Sequence, residues 1–441
     1  MKQRKRQPTD FRYDTGEARV PWAAVGEPIN DGDIAKLIEF LLPPRPGKEK
    51  DHRAQLAVVR QELRTLTKSS QRAGKLSLGS AVSKVEAQAA RFLGVKHASF
   101  LTNATAGFEI GHKFAGLGPG DEVIVPAITF IATMSYPLSI GAKVVIADVD
   151  PATINMDPAD VARKITKRTK VIMPVHIGGY PVDMDPIMEL AEKHDITVIE
   201  DAAHAYGALY HGRMAGTIGH FGAFSFHEVK NINALGEGGV LVTNTSYGEQ
   251  LGKARFLGVD PSRQIPNWLY DVVALESKGG YVAAGNHSST EIQAVALLQQ
   301  MKRLGGIIRE RREAAQYLTA RFREVEGVVP PPMDSPGIRG TYHLYLLQVD
   351  PGKAGGDIQA LRGKLKARGV VEIPHFAPLY KFSIMKQLGY DTDAIQETCP
   401  VAEEVFNHRF THLPLYKFTN SQLDYLASAV IESVEEMRAG K

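Results

Sequence analysis

The chain has 441 residues, of which 44% are hydrophobic and 23% are charged, so it is long enough for two domains with buried cores and too apolar to be disordered. Its 52 basic residues nearly balance its 49 acidic residues, and a net charge of +3 does not favour nucleic acid or an anionic membrane as a partner. The single cysteine, Cys399, cannot form an internal disulfide, which is compatible with a reducing cytoplasm.

The first 75 residues are predicted to be an N-terminal arm and insertion that pack on a smaller C-terminal domain. The basic start, Met1–Gln7, is not followed by an apolar segment, so we do not expect a secretory signal. No apolar run approaches the ~20 residues that a transmembrane helix needs, and we expect a cytoplasmic protein. Residues 31–42 have a helical pattern, whereas residues 45–68 are rich in charge.

Residues 76–299 are predicted to form a large domain in which strand patterns alternate with helix patterns. The strands are continuous apolar runs, as is typical of strands that are covered on both faces. They occupy Glu122–Val125, Lys143–Asp148, Lys170–Val175 and Ile196–Glu200, with helical stretches at Pro158–Ile165 and Pro186–His194. This order predicts an α/β fold with a mainly parallel sheet, in which ligands collect at the carboxyl ends of the strands.

Residues 300–441 are predicted to form a smaller α+β domain, which follows a strong helical pattern over Glu291–Arg303. Its predicted elements are a strand over His343–Val349, a helix over Asp357–Arg368, a strand over Val370–Ile373 and a helix over Asn420–Glu436.

Lys230 and Asp201 are the most informative pair in the sequence. Asp201 ends an apolar strand, and Lys230 lies 29 residues later, in the run Gly222–Asn231, where it would follow a later strand. An amine and a carboxylate placed in this way are typical of enzymes that use pyridoxal phosphate (PLP). The lysine forms a Schiff base with the cofactor aldehyde, and the acid pairs with the pyridinium nitrogen.

Further segments are candidates for holding such a cofactor. The cap-rich turn over Leu101–Gly107 precedes a helix predicted over Phe108–Ala115, and its backbone N–H groups and the Thr105 hydroxyl would suit a phosphate, although a plain helix cap is the alternative. Ser225 could reach the phosphate only if its strand ends before Lys230.

Two aromatic side chains could border the pyridine ring. Phe130 follows a strand and could stack on the ring, or it could be a core residue. His204 could cover the ring or orient its phenolic oxygen, or it could be a structural histidine. No metal site is predicted, because His408 and His412 lack the glutamate of a metalloprotease motif.

Four segments together resemble the DegT/DnrJ/EryC1/StrS family of sugar aminotransferases, within the aspartate aminotransferase fold type. The resemblance runs from about residue 76 to residue 435, and its motifs are Asn103–Ala106, Pro119–Phe130, Glu200–Ala208 and Phe224–Asn231 together with Gly236–Gly239. It implies PLP as cofactor and a large domain with a mainly parallel seven-stranded sheet between helices, followed by the smaller α+β domain.

The resemblance also implies roles for individual residues. Lys230 would bind the cofactor and move the substrate proton, Asp201 would keep the ring nitrogen protonated, and Phe130 would stack on the ring. The phosphate would be bound by Ala104, Thr105 and Ser225, and also by Asn286 of the neighbouring subunit, so a homodimer with shared active sites is implied.

The sequence departs from the family pattern at several places. The family commonly has Asn-Tyr-Arg-Met where this chain has Asn286–Ser289, so the arginine is missing. His204 stands at a position that is often glutamine. Residues 43–75 and part of 259–284 resemble insertions that could reshape the substrate entrance. Tyr345 and His375 fall where family members place residues near the substrate.

The resulting expectation is an aminotransferase that moves the amino group of L-glutamate or L-glutamine to a keto-sugar linked to a nucleoside diphosphate. A keto-cyclitol of the scyllo-inosose type is an alternative acceptor. A PLP-binding regulatory protein without transamination is the alternative of another class, and a PLP lyase is disfavoured because the lysine is retained.

Overall fold

The computed structural model describes residues 29–70, 76–263, 265, 270–370 and 376–440, which belong to two compact units. The first unit contains helix α1 (Asp31–Leu41) and helix α2 (Glu49–Ser69), which pack against each other. An ion pair between Arg60 and Glu39 (3.0 Å) joins the two helices. The helix expected at residues 31–42 is confirmed, whereas the packing of residues 1–75 on the C-terminal domain stays a prediction.

A seven-stranded sheet lies at the centre of the second unit. Its strands are β1 (His97–Leu101), β2 (Glu122–Pro126), β3 (Lys143–Ala147), β4 (Thr169–Ile172), β5 (Thr197–Asp201), β8 (Phe221–Ser225) and β9 (Gly239–Thr243). Two short strands, β6 (Leu209–Tyr210) and β7 (Arg213–Met214), lie outside this sheet. The strand order in the sheet is β1-β9-β8-β5-β4-β2-β3. Strands β3, β2, β4, β5 and β8 are parallel, and β9 is antiparallel to both of its neighbours. The expected mainly parallel sheet is therefore confirmed.

Seven α-helices in the described part of this unit precede residue 304 and pack around the sheet. They are α3 (Ser80–Leu93), α4 (Ala104–Phe114), α5 (Ala132–Ser139), α6 (Pro158–Lys164), α7 (Met184–His194), α8 (Leu251–Arg255) and α9 (Glu291–Met301). Helix α4 lies against β5, β8 and β9. It comes very close to the sheet at Gly107, where an added Cβ would lie 2.9 Å from the Cβ of Ala223.

Helix α4 begins four residues before the start predicted at Phe108. The side chain of Asn103 accepts a hydrogen bond from the backbone N–H of Ala106 (2.9 Å), which caps the helix and allows Ala104 to begin its first turn. The prediction was wrong because it treated this stretch as a separate turn.

The segment before α9 contains two short hairpins, β10 (Val259–Asp260) with β11 (Asp271–Val272) and β12 (Leu275–Ser277) with β13 (Gly280–Val282). The later elements are α10 (Leu304–Phe322), β14 (Val328–Val329), β15 (Ile338–Arg339), β16 (Leu344–Val349), α11 (Pro351–Ala354), α12 (Ile358–Ala367), α13 (Ser383–Gln387), α14 (Thr392–Glu397), α15 (Pro400–Glu404), β17 (Phe410–Pro414) and α16 (Asn420–Arg438). The strand expected over Val370–Ile373 lies mostly outside the described residues.

The C-terminal part of this unit has its own apolar core. Strands β14, β16 and β17 form an antiparallel sheet, and buried side chains of α10, α12 and α16, among them Leu318, Leu361 and Val430, belong to its core. The register sets Leu344 opposite Pro414, so the residues just before β16 and just after β17 lie side by side. The boundary predicted at residue 300 stays a prediction. No helix in the described ranges is both long enough and apolar enough to cross a membrane.

Candidate active site

A cavity of about 500 Å³ opens at the carboxyl ends of the parallel strands. Its wall includes residues at or shortly after the ends of four of them. Asp201 ends β5 and Ser225 ends β8, while Phe130 lies in the loop after β2 and Val175 in the loop after β4. Parallel strands end at the same edge of a sheet, so this edge collects side chains that are far apart in the sequence.

Asp201 is the deepest charged group of this wall, with 5% of its surface exposed. Its Oδ1 accepts a hydrogen bond from the backbone N–H of Ala203 (3.0 Å), while Oδ2 accepts none from the described residues. Burial raises the pKa of the carboxyl, and the Ala203 N–H, Lys230 and His176 act in the opposite direction. The site therefore has a buried acid with one oxygen left for a cationic N–H donor.

Lys230 borders the same cavity. Strand β8 ends at Ser225, before the lysine, so Ser225 and Lys230 can both line the cavity. Lys230 lies in a turn that is closed by a hydrogen bond from its backbone N–H to the carbonyl of His227 (2.9 Å). Burial lowers the pKa of the amine to about 8, and the attraction of Asp201 opposes that shift. About a tenth of the amine is therefore unprotonated, and nucleophilic, at pH 7, far more than for an ordinary lysine.

Glu200, next to Asp201 in β5, fixes the end of this strand through several hydrogen bonds. Its carboxylate accepts backbone hydrogen bonds from Gly216 (2.7 Å), Ile218 (2.6 Å) and Gly219 (2.6 Å), and it contacts His176 Nε2 at 2.9 Å. Because all four partners are held by this one carboxylate, the backbone at Asp201 has little freedom to shift.

The start of helix α4 forms one end of the cavity, where Ala104 and Thr105 lie in the first helical turn. The first N–H groups of a helix have no partner within the helix and favour an anion. Strand β9 presses against this turn, since a Cβ on Gly239 would lie 2.3 Å from the carbonyl carbon of Asn103. Ser225 reaches the cavity from the end of β8.

Aromatic rings form the side walls. Phe130 is 58% exposed and presents its ring to the cavity, so it is not the core residue of the alternative interpretation. Phe376 lies edge-on to Phe130, with ring centroids 6.4 Å apart, and nearly parallel to His204 at 5.9 Å.

His204 has a defined hydrogen-bonding state. Its Nδ1 accepts from the backbone N–H of Gly178 (3.2 Å), so the neutral ring carries its proton on Nε2. Burial and the nearby Lys230 hold its pKa well below the ordinary value, so the ring stays neutral. His204 can therefore donate one hydrogen bond from Nε2.

The structure adds cavity residues that the sequence reasoning missed, among them Arg311, His343, Phe376 and Tyr416. The rings of His343 and His204 are 4.4 Å apart, and His343 Nδ1 lies 3.0 Å from the side-chain oxygen of Asn231, next to Lys230. Of these residues, only Arg311 has a recognisable signal in the sequence, because a charged residue there interrupts the apolar stripe of its helix.

Two expected residues, Asn286 and Tyr345, do not line this cavity, and a third cannot be placed. Asn286 is exposed and does not line the cavity of its own chain. Tyr345 is fully buried, and its hydroxyl bonds to Thr319 (2.8 Å) instead of facing the cavity, so its expected position near the substrate is wrong. His375 lies outside the described residues.

The cavity residues fit PLP. The free oxygen of Asp201 suits a protonated ring nitrogen, the start of α4 suits a phosphate, and Lys230 supplies an amine for the aldehyde. The exposed ring of Phe130 offers a flat apolar face for the pyridine.

Comparisons with known proteins agree with this reading. The model of the DegT/DnrJ/EryC1/StrS aminotransferase family matches residues 58–431. The chain is 36% identical to the spore coat polysaccharide biosynthesis protein SpsC of Bacillus subtilis, over 87% of this chain and 96% of that protein. It is 34% identical to GDP-perosamine synthase of Caulobacter vibrioides, over 74% of this chain and 84% of that protein.

A solved structure shares the fold and carries the cofactor. The PLP form of Spr1654 from Streptococcus pneumoniae, described as a candidate sugar aminotransferase, matches with a TM-score of 0.72 and 27% identity, over 83% of this chain and 94% of that one. The chain therefore belongs to the DegT/DnrJ/EryC1/StrS aminotransferase family and is a PLP-dependent aminotransferase.

Proposed function

We propose that this enzyme transfers the amino group of L-glutamate or L-glutamine to the ketone of a sugar linked to a nucleoside diphosphate. The observation that carries the proposal is that Lys230, Asp201 and the start of α4 all border one cavity. The name of GDP-perosamine synthase, a relative of this chain, supports a nucleotide-linked sugar as the acceptor.

PLP, when bound, supplies an aldehyde that takes up the amino group and a ring that accepts electron density from the reacting carbon. The role proposed for Lys230 is to bind that aldehyde and then to carry the substrate proton between carbon and cofactor. Its lowered pKa suits both tasks, because each needs an unprotonated amine for part of the cycle.

The other residues hold the cofactor in this proposal. Asp201 keeps the ring nitrogen protonated, and Phe130 stacks on the ring. His204 donates from Nε2 to the phenolic oxygen, in keeping with its neutral state. The phosphate is bound by Ala104, Thr105 and Ser225.

The test is the absorbance spectrum of the purified, PLP-loaded protein before and after L-glutamate or L-glutamine is added. We expect at least one donor to convert the bound cofactor to its pyridoxamine form without any acceptor present. A cofactor spectrum that neither donor changes would contradict transamination and favour the regulatory reading.

Asp201→Asn tests the role of the acid with little change in shape. A neutral amide cannot stabilise a charged ring nitrogen, so we expect the rate of donor conversion to fall. A fall of roughly 100-fold corresponds to the free energy of one buried charge-assisted hydrogen bond. Stopped-flow absorbance measures this rate, with Asp393→Asn on the exposed helix α14 as the control. Wild-type rates in Asp201→Asn would remove the acid from this role.

The acceptor is tested separately, with the enzyme in its pyridoxamine form. We expect nucleoside-diphosphate keto-sugars to restore the PLP spectrum and a neutral keto-cyclitol to leave it unchanged. The reverse result would move the acceptor to the cyclitol class.

A further inference from the structure

Arg311 is a half-buried cation on the inward face of helix α10. The helix presents an apolar stripe with spacings of three and four residues, formed by Leu304, Ile308, Ala315, Leu318 and Phe322. Arg311 occupies the position in this stripe between Ile308 and Ala315, where the helical period calls for an apolar side chain. It borders the cavity that contains Lys230.

The protein partners of Arg311 are neutral. Its Nη1 donates to the backbone carbonyls of His343 (3.2 Å) and Leu415. Throughout the described part of the chain no carboxylate forms an ion pair with it, whereas its neighbour Arg312 pairs with Asp334. Burial lowers the pKa of the Arg311 guanidinium, and the phenol of Tyr416 offsets only part of this decrease.

A guanidinium has five N–H donors, and one nitrogen of Arg311 satisfies both carbonyls. Its Nε and Nη2 have no acceptor among the described residues. A cation removed from water without a counter-charge destabilises the protein. A cation retained in the same cavity wall as the reacting amine is suited to binding an anion of the substrate.

We propose that Arg311 binds the α-carboxylate of the amino donor. This inference rests on the proposed function, in which L-glutamate and L-glutamine both carry a carboxylate on the reacting carbon. A neutral acceptor such as a cyclitol would carry no anion, so the donor carboxylate is the one substrate anion that every version of the reaction requires. The planar fork of a guanidinium matches a carboxylate through two parallel hydrogen bonds.

The position relative to Lys230 agrees with this assignment. Arg311 is bonded to the main chain of His343, and the ring of His343 lies 4.4 Å from that of His204 in the same cavity. The α-carboxylate is attached to the carbon whose proton Lys230 removes, so its binding group must border the same cavity as the amine. Among the described residues of the wall, the other charged groups are Asp201, Glu237 and Lys230, and Arg311 is the one arginine.

The experiment compares Arg311→Gln and Arg311→Lys with Arg309→Gln, a matched change on the exposed face of α10 away from the cavity. The donor half-reaction is followed through the cofactor absorbance at increasing L-glutamate or L-glutamine, without acceptor. Binding without turnover is measured by calorimetry of the PLP-loaded proteins with 2-methyl-L-glutamate, which keeps the α-carboxylate but has no α-hydrogen.

We expect the apparent Kd for both donors and for 2-methyl-L-glutamate to rise roughly 100-fold in Arg311→Gln, as for a lost partner of a buried charge pair. Arg311→Lys keeps the charge but not the fork, so its Kd should rise about 10-fold. Arg309→Gln should bind as the wild type does, and PLP loading should be equal in all variants.

Several results would overturn the inference. Unchanged donor Kd values in Arg311→Gln and Arg311→Lys, with only a lower thermal midpoint, would assign the residue a structural role. A loss for L-glutamate but not for L-glutamine would place the guanidinium on the distal carboxylate, and a loss confined to the acceptor half-reaction would place it on the acceptor. If Arg311→Gln does not fold, an unchanged Kd in Arg311→Lys alone decides against the proposal.

Failure of the proposed function gives a different result. In that case the wild-type protein converts no donor at all, whatever residue stands at position 311. A wild type that converts donors, together with an Arg311→Gln variant that binds them equally well, would reject only the inference about Arg311.

Discussion

At the scale of single residues, the site depends on groups that the protein removes from water. Burial raises the pKa of Asp201 and lowers the pKa of Lys230, so in both cases it favours the neutral form. The attraction between the two charged forms opposes both shifts. Perturbed groups of this kind that share a cavity are typical of catalytic sites. Only the unprotonated amine can attack an aldehyde, so the lowered pKa of Lys230 makes it available at physiological pH.

This shift makes a prediction about pH. In the cofactor-free enzyme the rate constant for covalent capture of PLP should rise with pH and reach half its maximum near pH 8, since the pKa of Lys230 is about 8. It should level off about one pH unit higher, where most of the amine is unprotonated. An ordinary lysine, with a pKa near 10.4, would give a rate that still rises through pH 9. Stopped-flow absorbance between pH 6 and pH 10 distinguishes the two, and Lys230→Ala should show no covalent capture at any pH.

At the scale of elements, the start of helix α4 is held by the strand beside it. Gly239 begins β9, and an added Cβ would lie 2.3 Å from Asn103 C and 2.5 Å from Ala104 N. These are backbone atoms at the very turn that is proposed to bind the phosphate, so they cannot move aside without shifting that turn. The close approach of strand and helix therefore requires glycine.

Gly239→Ala should weaken PLP binding and stability together. We expect the Kd for PLP to rise about 10-fold or more and the free energy of unfolding to fall by about 1–3 kcal/mol, the usual cost of overpacking. Titration of the cofactor-free protein with PLP and denaturant unfolding measure the two effects.

The matched control is Gly363→Ala in helix α12, where an added Cβ meets nothing within 4 Å. That change should leave PLP binding unchanged and stabilise the protein by up to about 1 kcal/mol, because alanine favours a helix interior. Equal PLP affinity in Gly239→Ala and Gly363→Ala would contradict the role given to the α4 turn.

At the scale of the whole molecule, Asn286 remains to be explained. It is exposed and absent from the cavity wall of its own chain, whereas the family resemblance implies that it reaches the phosphate in a neighbouring subunit. A dimer with shared sites stays a prediction, and it can be tested by mixing two defective proteins.

Lys230→Ala and Asn286→Asp should each be inactive alone, the second because its carboxylate repels the phosphate. If Asn286 acts across the dimer, a hybrid of the two chains contains one intact site. Random re-pairing of subunits should then restore about a quarter of the wild-type activity, since half the dimers are hybrids and each has one working site of two. No recovery after verified subunit exchange would contradict the shared site.

Local sequence patterns were enough to predict the α/β order, the mainly parallel sheet and the prominence of Lys230 and Asp201. These features are local, because a continuous apolar run marks a strand buried on both faces and a polar residue directly after it marks the strand end. The early start of α4 was missed although its signal was also local, since Asn103 is a preferred capping residue.

The distant residues that complete the cavity depend on long-range packing. Arg311 and His343 enter it because β16 pairs with β17 and α10 packs beside them, and no periodicity in the sequence specifies those contacts. The same packing buries Tyr345 in the core, where its hydroxyl bonds to Thr319, whereas His343, two residues earlier, lines the cavity. Local patterns record which side chains avoid water, but the long-range pairing of strands selects the ones that meet.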